Sequence, residues 1–184
     1  MIDSSKPLIA AVNGPAIGIT ELMFWLNKGI GATSLGLSDL VYSVPHATFH
    51  TPFMRWGLAA EGCSSVIFPL QLGYSKAAAL LIAGETLTAE ELCIGGLITR
   101  IFPAEGFMEK VLEVAERMAG YSQSAIRTTR ELIRRRLRNE LHAANLAECQ
   151  ALRERFSNND AMPNILAFIE EHRQKKAKKM NAKL

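Results

Sequence analysis

The stretch Lys6-Pro-Leu-Ile-Ala-Ala-Val-Asn-Gly-Pro-Ala-Ile-Gly18 decides how this chain folds. Its apolar run from Pro7 to Val12 is short and bounded by turn residues, so we predict a buried β-strand that ends at Asn13-Gly14-Pro15. Gly14 and Gly18 allow the backbone to approach a ligand closely, because glycine has no Cβ atom. If a helix starts beyond this bend, its first amides lack partners and can hold a negatively charged oxygen. From these residues alone, a simple turn without a binding role is the favoured interpretation.

Short strands and helices are predicted through the rest of the first half of the chain. The strands are bounded by prolines and glycines, and the helices begin at capping residues or end at glycines. The predicted strands are Val41–Val44, Ala47–His50 and Leu97–Phe102. The first two predicted helices are Glu61–Leu72 and Ser75–Ala83, the latter with Ser75 as N-cap. A third helix begins at the capping box Thr88–Glu91 and ends at Gly95-Gly96.

The pattern is helical almost throughout from Gly106 onward. Apolar residues recur at spacings of three and four, which predicts helices with one buried face. We place Phe107, Val111, Val114, Ala115 and Met118 on one such face, and Ile126, Leu132, Ile133 and Leu137 on the next. The fold class is therefore predicted as α/β, with a core over residues 1–104 and a helical region over residues 105–184.

Composition limits the class of protein. The chain has 184 residues, of which 48% are hydrophobic, and this excludes a disordered or low-complexity protein. Cys63, Cys93 and Cys149 form no CxxC pair, so we expect neither a zinc site nor a disulfide framework. The polar start does not resemble a secretory signal. No apolar run approaches the roughly 20 residues of a membrane span.

Positive charge is concentrated in the second half of the chain. Residues 1–104 carry 5 Lys and Arg against 7 Asp and Glu, whereas residues 105–184 carry 16 against 11. Arg127, Arg130, Arg134 and Arg138 share one face of a predicted helix and are able to bind phosphates. A solvated face paired with Glu131 and Glu140 is the favoured interpretation. Few aromatic residues lie among these arginines, so nucleic acid is not expected as a partner. The four histidines (His46, His50, His142, His172) show no metal-ligand spacing, and no metal is expected.

Glu61 is the candidate catalytic carboxylate. It follows Leu58-Ala-Ala60 and precedes Gly62-Cys63, so its neighbours are largely apolar. A carboxylate in such surroundings is able to act as a general base. On spacing alone, the commoner role of an acidic residue in the first turn of a helix is favoured.

Several stretches together resemble the crotonase (enoyl-CoA hydratase/isomerase) superfamily, and within it the peroxisomal Δ3,Δ2-enoyl-CoA isomerases. The resemblance is collinear over nearly the whole chain. The stretches that carry it are Lys6–Gly18, Ser38–Tyr42, Ala47–Phe53, Ala60–Ser65, Leu87–Glu91 and Gly96–Ile98.

The resemblance implies a spiral α/β core and a mechanism. The substrate would be a 3-enoyl-CoA thioester, and Glu61 matches the family's catalytic glutamate, which removes a proton from C2 and returns it at C4. Backbone amides must stabilise the oxyanion that forms. The bend supplies one of them, and the candidate oxyanion and substrate-binding residues are Gly14, Ala16, Gly18, Ile19 and Ile30. No cofactor is expected, because coenzyme A is part of the substrate.

A hydratase is the alternative reaction within the same family. Hydratases need a second carboxylate, which lies on the helix after the glycine bend. If residues 19–29 are an insertion, Thr33 stands at that position, and threonine cannot serve as a general base. Without a gap, Glu21 lies one residue short, and one residue of a helix corresponds to about 100° of rotation. Isomerase is therefore favoured.

Two departures from the family pattern leave a further alternative open. The chain begins later than its family, as though strands that supply the other oxyanion amide were missing, and residues 19–29 interrupt the bend. A non-catalytic, crotonase-like module that binds acyl-CoA or a protein partner is consistent with both departures. The family also implies a homo-oligomer of the trimer type, formed through the C-terminal helices, whose basic residues would meet the phosphates of CoA.

The C-terminal tripeptide Ala182-Lys183-Leu184 is a conservative variant of the Ser-Lys-Leu peroxisomal address. It follows a basic stretch, Arg173–Asn181, which would keep the tail exposed. The sequence therefore predicts a peroxisomal import receptor as a partner and the peroxisome as the location.

Overall fold

The computed structural model describes residues 1–17, 31–158 and 161–181. Within these ranges the strands are β1 (Ile9–Val12), β2 (Ala16–Ile17), β3 (Leu40–Ser43), β4 (Thr48–His50), β5 (Leu87–Thr88) and β6 (Arg100–Ile101). The α-helices are α1 (Ser64–Leu72), α2 (Tyr74–Leu81), α3 (Ala89–Gly95), α4 (Phe107–Ala119), α5 (Gln123–Ser157) and α6 (Ala161–Asn181). Short 3-10 helices span Ala32–Leu37 and Met54–Trp56.

The chain alternates between two sheets. β1, β3 and β6 form a parallel sheet in that order, with Ile9 opposite Leu40. β2 pairs in parallel with β4, and β4 pairs antiparallel with β5. Pro15 and Pro45 stand between the paired segments, where a residue without a backbone N–H ends a ladder. Each passage of the chain therefore adds one strand to each sheet, as a spiral core requires.

Large apolar side chains fill the core. Phe49 on β4, Phe68 on α1, and Leu80 and Leu92 on α2 and α3 are fully buried. Each such side chain contributes about 1.5–3 kcal/mol when it is removed from water. The prediction of an α/β fold with a helical second half is confirmed.

Two predicted helix starts are wrong, and one is confirmed. α1 begins at Ser64 rather than Glu61, because Gly62 and Cys63 adopt left-handed backbone conformations with φ of 67° and 62°. α2 begins at Tyr74, so Ser75 is not its N-cap. The capping box of α3 is confirmed: the Glu91 N–H donates to the Thr88 hydroxyl, and the Thr88 N–H donates to the Glu91 carboxylate.

The apolar face predicted for α4 is confirmed. That predicted for α5 is half right, because Ile126 and Leu137 are half-buried whereas the other two residues are exposed. Leu132 and Ile133 are 64% and 71% exposed. The buried residues of α5 are Arg130, Leu141, Ala144 and Glu148. This stripe keeps helical spacing, but charged residues stand at both of its ends, so a search for apolar periodicity does not find it. None of the helices in the described ranges combines the length and the apolarity needed to cross a membrane.

Candidate active site

Glu61 lies in the turn between the second 3-10 helix and α1, where its side chain is half-buried. Ser64 donates two hydrogen bonds to the carbonyl oxygen of Glu61, one from its backbone N–H at 3.2 Å and one from its hydroxyl at 2.6 Å. The two left-handed residues between them reverse the chain. The side chain of Glu61 is therefore presented by a turn, and the interpretation of Glu61 as an acid in the first turn of a helix is wrong.

The carboxylate of Glu61 is in contact with Thr33. The Thr33 hydroxyl donates to Oε1 of Glu61 across 3.4 Å, a long and therefore weak hydrogen bond. Thr33 is fully buried in the first 3-10 helix. A Cβ atom at Gly62 would lie only 3.2 Å from the Thr33 Cβ and Oγ1 atoms. Glycine at position 62 thus permits both the left-handed backbone and the close approach of Thr33.

A buried carboxylate from α5 binds the start of α1. Glu148 accepts hydrogen bonds from the backbone N–H of Cys63 at 2.7 Å and of Ser65 at 3.0 Å, and from the Ser65 hydroxyl at 2.5 Å. The amides at a helix start have no partners within the helix, and they favour negative charge. Glu148, rather than Glu61, is the acidic residue that satisfies them.

The thiol of Cys63 is held in its neutral form. Burial, together with the negative charge of Glu148, raises the pKa of Cys63 to about 11. The thiol donates to the Leu141 carbonyl oxygen across 3.3 Å. Because the thiolate is the nucleophilic form, Cys63 acts as a buried structural residue at neutral pH.

The glycine bend is described in part. Gly14 is half-buried with φ of 150°, and Ala16 is buried on β2 opposite Phe49. A Cβ atom at Gly14 would meet no atom within 4 Å, so space remains beside this backbone. The other candidate residues of the bend, Gly18, Ile19 and Ile30, lie outside the described residues, as do Glu21, the interruption over residues 19–29 and the terminal tripeptide 182–184.

The predicted arginine cluster does not form a single surface. Some of its arginines lie in a buried network and others at the surface, so neither phosphate binding nor a solvated face describes all of them. Arg130 and Arg134 donate to the Asp39 carboxylate at 2.9 and 3.0 Å. Asp39 also accepts the Leu8 N–H at 2.8 Å, which connects α5 to the start of β1. Arg138 pairs with Glu131, as the solvated-face interpretation expected. Arg130 and Arg134 are therefore structural, and they are not available for phosphates.

Asp39 and Glu148 are buried-network residues whose roles were not predicted from the sequence: Asp39 connects α5 to the start of β1, and Glu148 connects α5 to α1. Asp39 stood in a stretch that carried the family resemblance, but its partners are 91 and 95 residues away. Glu148 continues the buried stripe of α5 at the spacing Leu141, Ala144, Glu148. Among the residues that the structure describes, His, Cys, Asp and Glu do not group in threes as metal ligands.

Comparison with known proteins identifies the family. The family model described as Enoyl-CoA hydratase/isomerase matches residues 1–178. Enoyl-CoA delta isomerase 2 of Homo sapiens is 42% identical over 168 residues, which cover 91% of this chain and 40% of that protein. Enoyl-CoA delta isomerase 3, peroxisomal, of Mus musculus is 37% identical over 177 residues, which cover 96% of this chain and 52% of that protein.

A solved structure supports the same assignment. The enoyl-CoA hydratase/isomerase from Pseudoalteromonas atlantica T6c matches with a TM-score of 0.82 and 31% identity, over 92% of this chain and 64% of that chain. The chain spans about half or less of the length of the two curated relatives. The spiral core and the match along the chain together show that this protein belongs to the enoyl-CoA hydratase/isomerase family of the crotonase superfamily.

Proposed function

We propose that this chain moves the double bond of an enoyl-CoA thioester from C3 to C2, with Glu61 as the proton shuttle. The observation that carries the proposal is the half-buried carboxylate of Glu61, presented on a left-handed turn against the Thr33 hydroxyl. The relatives named enoyl-CoA delta isomerases support the choice of reaction.

The proton transfers balance on one substrate and one carboxylate. Ionised Glu61 removes a proton from C2, and the electron pair moves into the thioester to form a dienolate with its charge on the oxygen. The protonated Glu61 then returns the proton at C4, which leaves the double bond between C2 and C3. The carboxylate is restored, so the reaction requires no redox partner and no other cofactor.

The dienolate oxygen needs main-chain donors, and the bend that begins after β1 is the proposed source. The backbone amides of Cys63 and Ser65 at the start of α1 already donate to Glu148. The bend from Gly14 to Gly18, with Ile19 or Ile30 beyond it, remains the candidate from the family resemblance. Loss of one such donor costs about 3–4 kcal/mol of transition-state stabilisation in comparable sites.

Thr33 favours isomerisation over hydration. A hydratase positions water with a second carboxylate beside the first. Here the Thr33 hydroxyl contacts Glu61 Oε1, and a hydroxyl does not take up a proton at neutral pH. Glu61 is therefore proposed to perform both proton transfers.

The test is conversion of 3-enoyl-CoA to 2-enoyl-CoA by the wild-type chain and by Glu61→Gln. Glutamine keeps the size of the side chain but cannot accept the proton. We expect turnover by the wild type and its loss, by about 1,000-fold or more, in the variant. A folded wild-type chain that binds CoA without turnover would overturn the isomerase and support a non-catalytic acyl-CoA-binding module. Hydration of 2-enoyl-CoA at a comparable rate would support the hydratase.

We also propose peroxisomal import and self-association. The tripeptide Ala182-Lys183-Leu184 and the relative named as peroxisomal support an import receptor as partner. A fluorescent reporter that ends in these three residues should enter peroxisomes, and one that lacks Leu184 should not. The self-association is supported by exposed apolar side chains on α5 and α6, such as Ile133, Leu146 and Leu166. Light scattering would measure the mass of the assembly that these contacts between copies form.

A further inference from the structure

We propose that Glu148 is a positioning residue for Glu61: its buried carboxylate on α5 holds the turn that presents the base. The inference rests on the proposed function, because it assigns to the helical second half a part in the same site. Glu148 does not contact Glu61 in any described hydrogen bond, and it acts through the three residues that follow Gly62.

The first step of the argument is the bonding of Glu148. Its side chain is buried, with the residue 6% exposed, and it receives three hydrogen bonds from two residues of the turn. Burial of a carboxylate is costly unless hydrogen bonds replace those lost to water, and here the donors are the backbone amides of a helix start together with a hydroxyl. The match between the charge and the helix start makes this a specific attachment of α5 to α1.

The second step is the turn itself. Gly62 and Cys63 both have positive φ, and an L-residue such as Cys63 rarely adopts that conformation without external support. α5 supports Cys63 at two points, since Glu148 accepts its N–H and the Leu141 carbonyl accepts its thiol. The conformation of the turn therefore depends on a helix 78–85 residues away in sequence.

The third step connects the turn to the base. Cys63 and Ser65 are bound to Glu148, and Ser64 between them binds the carbonyl oxygen of Glu61 with its N–H and its hydroxyl. Three consecutive residues thus transmit the position of Glu148 to the backbone of Glu61. A general base must lie within hydrogen-bond reach of the proton it removes, so a small displacement of this backbone affects the rate directly.

The experiment compares Glu148→Ala, Glu148→Gln and the matched control Glu140→Ala in the full chain. Glu140 is an exposed residue of the same helix. We measure kcat and KM for 3-enoyl-CoA isomerisation, and amide hydrogen exchange in the peptide that covers residues 61–65. In Glu148→Ala we expect kcat to fall about 100-fold with KM within about 3-fold, because misplacement of a catalytic group by about 1 Å has an effect of this size. Exchange at 61–65 should become faster, while exchange in α4 stays unchanged.

Glutamine keeps one carbonyl acceptor, so Glu148→Gln should recover kcat to within about 10-fold of the wild type and restore part of the protection. If Glu148→Ala acted only by lowering the folded fraction of the protein, amide exchange would become faster along the whole chain, and Glu148→Gln would not recover kcat. That outcome would contradict the inference. The inference is overturned if both variants match Glu140→Ala in kcat and in exchange at 61–65. Should Glu148→Ala fail to fold, Glu148→Gln decides alone. If the wild type has no turnover, the proposed function fails, and unchanged exchange at 61–65 in Glu148→Gln then rejects the attachment separately.

Discussion

The Thr33 hydroxyl and the Glu61 carboxylate are 28 residues apart in the chain and 3.4 Å apart in the structure. Thr33 is fully buried and Glu61 is half-buried, so the hydroxyl reaches the carboxylate from the side of the core. The contact brings together a buried hydroxyl and the proposed base. It also places the first 3-10 helix beside the turn that carries Glu61.

Thr33→Val should reduce turnover moderately. Valine keeps the shape of threonine and removes the donor, and a bond of 3.4 Å is weak, so we expect kcat to fall by about 3- to 10-fold, corresponding to about 1 kcal/mol. KM should hardly change, because the hydroxyl contacts the base. Steady-state kinetics with 3-enoyl-CoA measure both quantities. A loss as large as that of Glu61→Gln would mean that Thr33 itself takes part in proton transfer.

Gly62→Ala should impair activity more than its effect on stability explains, and Gly84→Ala is the matched control. Both glycines have φ near 66°, so an alanine at either position is strained by about 1–2 kcal/mol. A Cβ atom at Gly84 meets nothing within 4 Å, whereas one at Gly62 lies 3.2 Å from Thr33. We therefore expect both variants to lose unfolding free energy in urea through backbone strain, with a larger loss in Gly62→Ala because of its contact with Thr33, and a loss of kcat only in Gly62→Ala. Equal kcat values in the two variants would show that the close approach of Thr33 does not matter.

Asp39→Ala should destabilise the fold strongly. Arg130 is only 7% exposed. In the variant, Arg130 and Arg134 would both lose the Asp39 carboxylate with which they pair. Removal of one partner from a buried ion pair typically costs about 3–5 kcal/mol, because it leaves uncompensated charge. Urea unfolding measures the loss. Glu131→Ala breaks the more exposed pair with Arg138 and should have a far smaller effect, since solvent screens that pair.

Four of the six described strands and the helices α1 to α3 could be located from the sequence, because local signals and the fold agree in the first half of the chain. Proline breaks, alternating burial on β4 and the capping box at Thr88 all act within a few residues. The start of α1 could not be predicted this way. The second of its two left-handed residues, Cys63, is bound by Glu148 and Leu141 on a helix more than 75 residues later, and no local sequence pattern indicates such a contact.

The inward face of α5 shows the same limit. Apolar periodicity placed Leu132 and Ile133 inside, yet Arg130 and Glu148 are buried in their place. Each charged side chain is buried because a specific partner elsewhere in the chain compensates its charge, Asp39 in one case and the start of α1 in the other. The family resemblance singled out Glu61 from the sequence as the candidate base, whereas the hydrogen bonds of its turn to α5 depend on tertiary contacts.

The raised pKa of Cys63 predicts a loss of stability at alkaline pH. Burial, aided by the charge of Glu148, moves the thiol pKa from 9.0 to about 11 in the folded protein. Below pH 9 the thiol is protonated in both states, so it contributes no pH dependence. Between pH 9 and 11 the unfolded chain releases the proton and the folded chain retains it, which favours unfolding by up to about 3 kcal/mol. Above pH 11 both states are ionised, and the effect levels off.

Other groups titrate in the same range, so the measurement is a difference between the wild type and Cys63→Ser. Serine keeps a donor for the Leu141 carbonyl but does not ionise below pH 11. Urea unfolding at pH 8 and pH 10.5 should show a steeper loss of free energy in the wild type than in the variant. Parallel losses would show that the Cys63 thiol ionises as readily in the folded protein as in the unfolded chain. The hydrogen bonds of Glu148 would then not enclose Cys63 as tightly as the structure indicates.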